Sequence, residues 1–156
     1  MVLAHRQQFE LLSKEVGLGL LGWFRTVNRV TCPCCGYPTL QSRKQFEICC
    51  LCDWEDDGQD DQEAELILGG PNGEYSLSLA RDNFQRYASM SLPSDERYIK
   101  ELNHSRIKQL KIELASEFDR MLLASPRQLP GLWRNALRIE DEMEKQLLQN
   151  ATPHIV

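Results

Sequence analysis

The chain has 156 residues, 42% hydrophobic and 26% charged, the balance of a soluble globular protein and not of a disordered or membrane-embedded one. That length suits one domain, or a small module with helical attachments, and is enough to bury an ordinary apolar core. The formal net charge of −5 is unevenly spread: residues 45–80 hold ten acids and no Lys or Arg, so the remainder is net positive. An acidic field disfavours a phosphate-backbone ligand in that segment. It suits a basic protein partner or a simply solvated loop.

Apolar residues at Leu3, Phe9, Leu11, Leu12 and Val16 predict an amphipathic helix over residues 2–16. Gly17, Gly19 and Gly22 then interrupt the pattern, and residues 17–23 are expected to form a turn with buried side chains. The apolar stretch 16–24 is shorter than the roughly 20 residues that cross a bilayer. The charged and polar mix of residues 5–15 is unlike a signal peptide, which predicts a cytoplasmic protein with no membrane association. Residues 27–31 read as a short strand.

All six cysteines lie between Cys32 and Cys52. Cys32 and Cys35 form one Cys-x-x-Cys hook, Cys49 and Cys52 a second, with thirteen residues between the hooks. In a reducing compartment such clustered pairs favour a metal over disulfides. Four thiolates can hold one zinc ion tetrahedrally, at about 2.3 Å per sulfur. With all four positions filled the ion is structural, and no coordination site remains for a catalytic water. Iron in the same cage is the chemical alternative. Structural zinc contributes roughly 10–16 kcal/mol of apparent binding energy, against about 5–15 kcal/mol for a whole domain. Residues 37–68 are therefore expected to need the metal in order to fold. Cys34 and Cys50 are spare, and small buried residues is the simplest reading of both. A thiol-redox pair is the alternative.

Residues 37–40 and 46–49 read as two short strands of a hairpin joined by polar residues 41–45. An acidic loop follows over 53–65, then the turn signal Gly69-Gly70-Pro71-Asn72-Gly73. Within the loop, Glu55, Asp56, Asp57, Asp60 and Asp61 are candidate partner-binding acids. They lack the spacing of a calcium loop, and no histidine lies nearby to complete a catalytic site. Ser76 is placed to cap a helix over 77–88, with Leu77, Ala80, Phe84 and Tyr87 on its buried face. A long helix is expected over 95–124, carrying Ile99, Leu102, Leu110, Leu114, Phe118, Met121 and Leu122. Pro126 and Pro130 break it. A last helix over 132–150 places Trp133, Ala136, Leu137, Met143 and Leu147 on one stripe. The short link predicts an antiparallel helical hairpin, with dimerisation through its surplus apolar surface as one outcome.

The run Cys32-Pro33-Cys34-Cys35-Gly36-Tyr37 resembles the bacterial cysteine-rich CPCC family. The likeness continues through Pro38-Thr39-Leu40, Glu47-Ile48-Cys49, Cys52-Asp53-Trp54-Glu55-Asp56-Asp57-Gly58, Asn72-Gly73 and Ser76 to Phe84. It covers residues 31–90. The resemblance implies a bacterial origin and a small zinc-ribbon-like module followed by a helix, with no biochemical function attached. Cys50 departs from the family's usual proline, and Leu79 from a Glu that would complete a capping box.

These readings combine into an α+β protein: a zinc-ribbon-like β-hairpin module with an N-terminal helix and a C-terminal helical hairpin. The expected divisions are 1–26, 27–90 and 91–156, with the hairpin packed on the module. The expected function is a non-enzymatic, zinc-containing protein-binding module. Its narrowest form is an immunity or inhibitor protein that neutralises a basic toxin or enzyme. The alternatives are a nucleic-acid-binding regulator, using Arg106, Lys108 and Lys111 or Arg127, Arg134 and Arg138, and a thiol-redox protein using Cys34 and Cys50.

Overall fold

The computed structural model describes residues 2–15, 27, 29–102 and 105–151. The expected apolar turn at 17–23 and His104 lie outside the described residues. The chain forms two compact units, Met1–Tyr98 and Ile99–Val156. Five α-helices are present among the described residues: α1 Val2–Glu15, α2 Leu77–Tyr87, α3 Glu96–Leu102, α4 Ser105–Leu122 and α5 Leu129–Ala151. Among the described residues no helix is long and apolar enough to cross a membrane.

No β-strand occurs among the described residues, which overturns the expected β-hairpin and with it the α+β class. The two expected strands do not pair with each other. Leu40 makes a single antiparallel bridge to Val30, and Ile48 a single bridge to Glu55. The backbone around each hook is consumed in tight turns. Cys32 N–H donates to Tyr37 O and Gly36 N–H to Cys32 O; Cys49 N–H donates to Trp54 O and Asp53 N–H to Cys49 O. Lys44, Phe46 and Asp53 all have φ near +60°. Left-handed residues cannot continue an extended ladder, so the Ile48–Glu55 pairing, flanked by Phe46 and Asp53, stops after one bridge.

The first unit gathers its core around the cysteines. Leu40, Leu51, Trp54, Leu77, Ala80 and Met90 are all buried there. Met90 N–H donates to Cys52 O and Asn83 Nδ2 to Met90 O, which ties the segment after α2 to the second hook. The α1 helix joins through Phe9 and His5, whose rings lie 5.9 and 5.6 Å from that of Tyr37. Tyr37 in turn meets Phe84 of α2 edge-on at 6.2 Å. As expected, Ser76 caps α2 by accepting a hydrogen bond from Leu79 N–H. Ala88 closes the helix in a left-handed conformation.

The second unit is built on the pairing of α4 with α5. Its interior is Ile107, Leu110, Leu114, Phe118 and Met121 from α4, against Leu129, Trp133, Ala136, Ile139 and Met143 from α5. These recur at three- and four-residue spacing, so each helix turns one stripe toward the other. Two residues assigned to the stripes, Ile99 and Leu147, are exposed instead. The α5 helix starts at Leu129, three residues earlier than expected, with Pro130 in its first turn. Proline costs little there because a first-turn N–H has no intrahelical acceptor. Leu114→Ala is expected to cost about 2–5 kcal/mol of hairpin stability. Leu123→Ala, at a position 92% exposed, is expected to stay within about 0.5 kcal/mol. Urea denaturation followed by helical circular dichroism separates the two.

Candidate metal centre

The structure brings Cys32, Cys35, Cys49 and Cys52 together, with all four sulfurs within 4.8 Å of one another. Cys32 Sγ lies 3.7 Å from Cys52 Sγ, and Cys35 Sγ lies 3.6 Å from Cys49 Sγ. A tetrahedron of sulfurs about 2.3 Å from a central ion has edges of about 3.8 Å. The spacing therefore fits a four-thiolate metal centre. Each hook supplies its pair through the turns described above, and the left-handed Gly36 lets the backbone fold back beneath the first pair.

All four cysteines are buried. Burial pushes the thiols of Cys32, Cys35 and Cys52 well up. It acts in the same direction on Cys49, but hydrogen bonds from the other three cysteines and from Thr39 outweigh it and hold that sulfur well down. Four thiolates at this spacing require a positive ion among them.

Two side chains support the cage from outside. Thr39 Oγ1 lies 3.1 Å from Cys49 Sγ, in position to donate its proton to the sulfur. Arg81 of α2 is buried, with Nε donating to Pro33 O at 2.9 Å and Nη2 to Asp61 Oδ1 at 2.6 Å. It pins the first hook and places a positive charge beside it. Neither role was legible in the sequence, although both residues fall in the stretches that carry the family resemblance. Of the spare cysteines, Cys34 is buried and Cys50 half-buried, and neither joins the cluster. Burial also raises the Cys34 thiol, the opposite of a reactive cysteine.

The candidate partner-binding acids are largely engaged internally. Asp56 is fully buried and takes two bonds from Arg43, at 2.9 and 3.2 Å, plus Lys44 N–H. Asp60 takes a forked pair of bonds from Arg6 of α1 and a third from Arg43. Asp61 binds Arg81. Asp57 accepts from Gln59 N–H and Asn72 Nδ2. Asn72 also brackets the backbone N–H and C=O of Glu55. Three arginines from distant parts of the chain thus meet three aspartates of the acidic run. Their separation of 13 to 54 residues leaves no local signal in the sequence.

Together these features define a helical protein carrying a buried four-cysteine cluster with the spacing of a metal centre. Residues 30–104 match the family described as Cysteine-rich CPCC. No curated protein and no solved structure matches the chain significantly.

Thr39→Val removes the hydroxyl without changing the side-chain shape. It is expected to weaken metal binding by about 10–100-fold in chelator competition, while Thr39→Ser retains affinity. Acid should act separately on the ion pairs. Hydrogen bonding to Arg6 holds Asp60 well below the usual carboxylate range, and Arg97 lowers Asp95 to about 2. Both depressed groups stabilise the fold fully above about pH 4 and lose that contribution as pH falls through their folded values. At saturating metal, Asp95→Asn is expected to flatten the fall of the thermal midpoint between about pH 5 and pH 2.

Proposed function

We propose that the centre holds one zinc ion in a structural role and that the chain is a non-enzymatic protein-binding module. The observation that carries the metal assignment is the buried set of four sulfurs, all within 4.8 Å of one another. Such a set leaves no open coordination position for substrate or water. Protein binding is supported by the surface of the same unit. Phe46 and Ile48 beside the second hook are exposed, as is the unbroken apolar run Leu66, Ile67 and Leu68. Apolar side chains of this size, mixed with the exposed acids Glu63 and Glu65, suit a protein surface. The immunity form of this reading, directed at a basic toxin or enzyme, drew on the acidic stretch. With Asp56, Asp60 and Asp61 bound to internal arginines, it rests on the exposed acids that remain.

Native mass spectrometry of protein isolated from lysate without added metal is expected to show one zinc per chain and a co-purifying protein. A Phe46→Asp and Ile67→Asp double variant is expected to keep the zinc and lose the partner. Folded protein with six free thiols and no metal would overturn the metal assignment. A zinc-loaded chain that retains its partner in the double variant would overturn the binding surface.

A further inference from the structure

Within the second unit, a concavity of about 610 Å³ opens at the elbow of the helical hairpin. It is lined by the end of α4, the link and the first turns of α5. No carboxylate lines it, whereas Arg120, Arg127 and Arg134 all do. Arg120 is paired through Nη1 with Glu117. Arg127 and Arg134 are exposed and have no acceptor among the described residues.

The two amides of the lining add to this bias. Gln128 Oε1 already accepts from Ser125 N–H at 3.0 Å and Ser125 Oγ at 2.8 Å. Asn135 Oδ1 already accepts from Arg138 at 3.1 Å. Each amide therefore has its oxygen engaged and its NH₂ group left to donate. The side chains around the cleft thus offer donors and positive charge, with each amide oxygen already accepting at least one bond. Leu123, Pro130 and Leu132 supply an apolar wall.

We propose that this cleft binds a phosphate-bearing ligand of nucleotide size. Its volume lies in the range of about 300–1,000 Å³ usual for small-molecule sites. Two free guanidinium forks and two free NH₂ groups offer more donors than the two oxygens of a carboxylate can use. A phosphoryl chain supplies enough acceptors in a compact space. The exposed Leu123 and its neighbours would face the ligand's less polar body. A nucleic-acid strand is disfavoured because several other cations of the hairpin are buried or engaged, Arg138 donating to Asn135 Oδ1. Lys111 is buried, Arg106 faces Glu113 at 3.7 Å, and Lys145 pairs with Asp141. The site lies in a different unit from the metal centre and does not depend on the reading of that centre.

The test uses the full chain, with ATP, inorganic tripolyphosphate, adenosine and a ten-nucleotide single strand as probes in calorimetric titrations. ATP and tripolyphosphate are expected to bind, and ATP more tightly through its apolar body. Replacing both free forks, as Arg127→Gln with Arg134→Gln, is expected to weaken ATP binding by about tenfold or more. Arg106→Gln, on an arginine outside the cleft, should leave it unchanged. Circular dichroism shows whether the variants keep their helices, and both substituted arginines are surface residues. Absence of ATP and tripolyphosphate binding would overturn the proposal, as would binding indifferent to the double substitution. A strand that binds more tightly than ATP, with a steep salt dependence, would replace the small ligand by nucleic acid and also overturn it.

Discussion

Burying four sulfurs that must all be ionised to hold a metal is the constraint on which the first unit depends. A lone thiolate in a dry interior is unstable, and four at 3.6–3.7 Å across the observed pairs repel one another strongly. A divalent cation turns that repulsion into attraction and joins two chain segments that share no strand pairing. Each hook has only one β-bridge nearby, far less than a sheet would use to hold such a connection. A metal bound there would do the work a sheet does in larger domains. Thr39 and Arg81 then decide how firmly the cage is held, one by a bond to a sulfur and the other by fixing the hook's backbone.

Around that cage lies a second layer built from charge. Arg6, Arg43 and Arg81 come from α1, from the segment between the hooks and from α2, and converge on Asp56, Asp60 and Asp61. The forked Arg6–Asp60 and Arg43–Asp56 contacts are directional as well as attractive. They help set where α1 and the acidic loop sit relative to the hooks. The acidic run therefore has a structural use before any partner is considered. Asp56, fully buried, is a framework residue, and its charge is matched inside the unit.

The sequence was informative where the physics is local. Four thiolates in two hooks are a chemical statement complete within 21 residues, and the structure brings those four sulfurs together. The stripes of α4 and α5 follow from helical periodicity, and Ser76 acts through an N–H three residues away. The β-hairpin expectation failed because alternation over three or four residues says little about backbone conformation. Lys44, Phe46 and Asp53 take left-handed conformations that their side chains do not announce. The start of α5 was misplaced because Pro130 was read as a breaker, when its position in the first turn makes it compatible with a helix. The arginine–aspartate layer could not be read at all. Each contact joins residues far apart in the chain, and only the fold makes them neighbours.

A closed metal cage also shapes where recognition can occur. Sulfurs buried this deeply cannot meet a ligand, so the cluster acts on recognition only by holding surface residues in place. In the first unit the residues so held include exposed apolar side chains beside the second hook, and these suit another protein. In the second unit the elbow of the hairpin has a different chemistry. Its amide oxygens are engaged by neighbouring donors, and its two free guanidiniums have no carboxylate among the cleft-lining side chains. An isolated arginine on a surface is ordinary. Two without acceptors, in a concavity whose two amides each still carry an NH₂ donor, form a cleft complementary to an acceptor-rich anion. Its charge is opposite in sign to the chain as a whole, so long-range attraction contributes little, and selectivity must come from close contact with the forks.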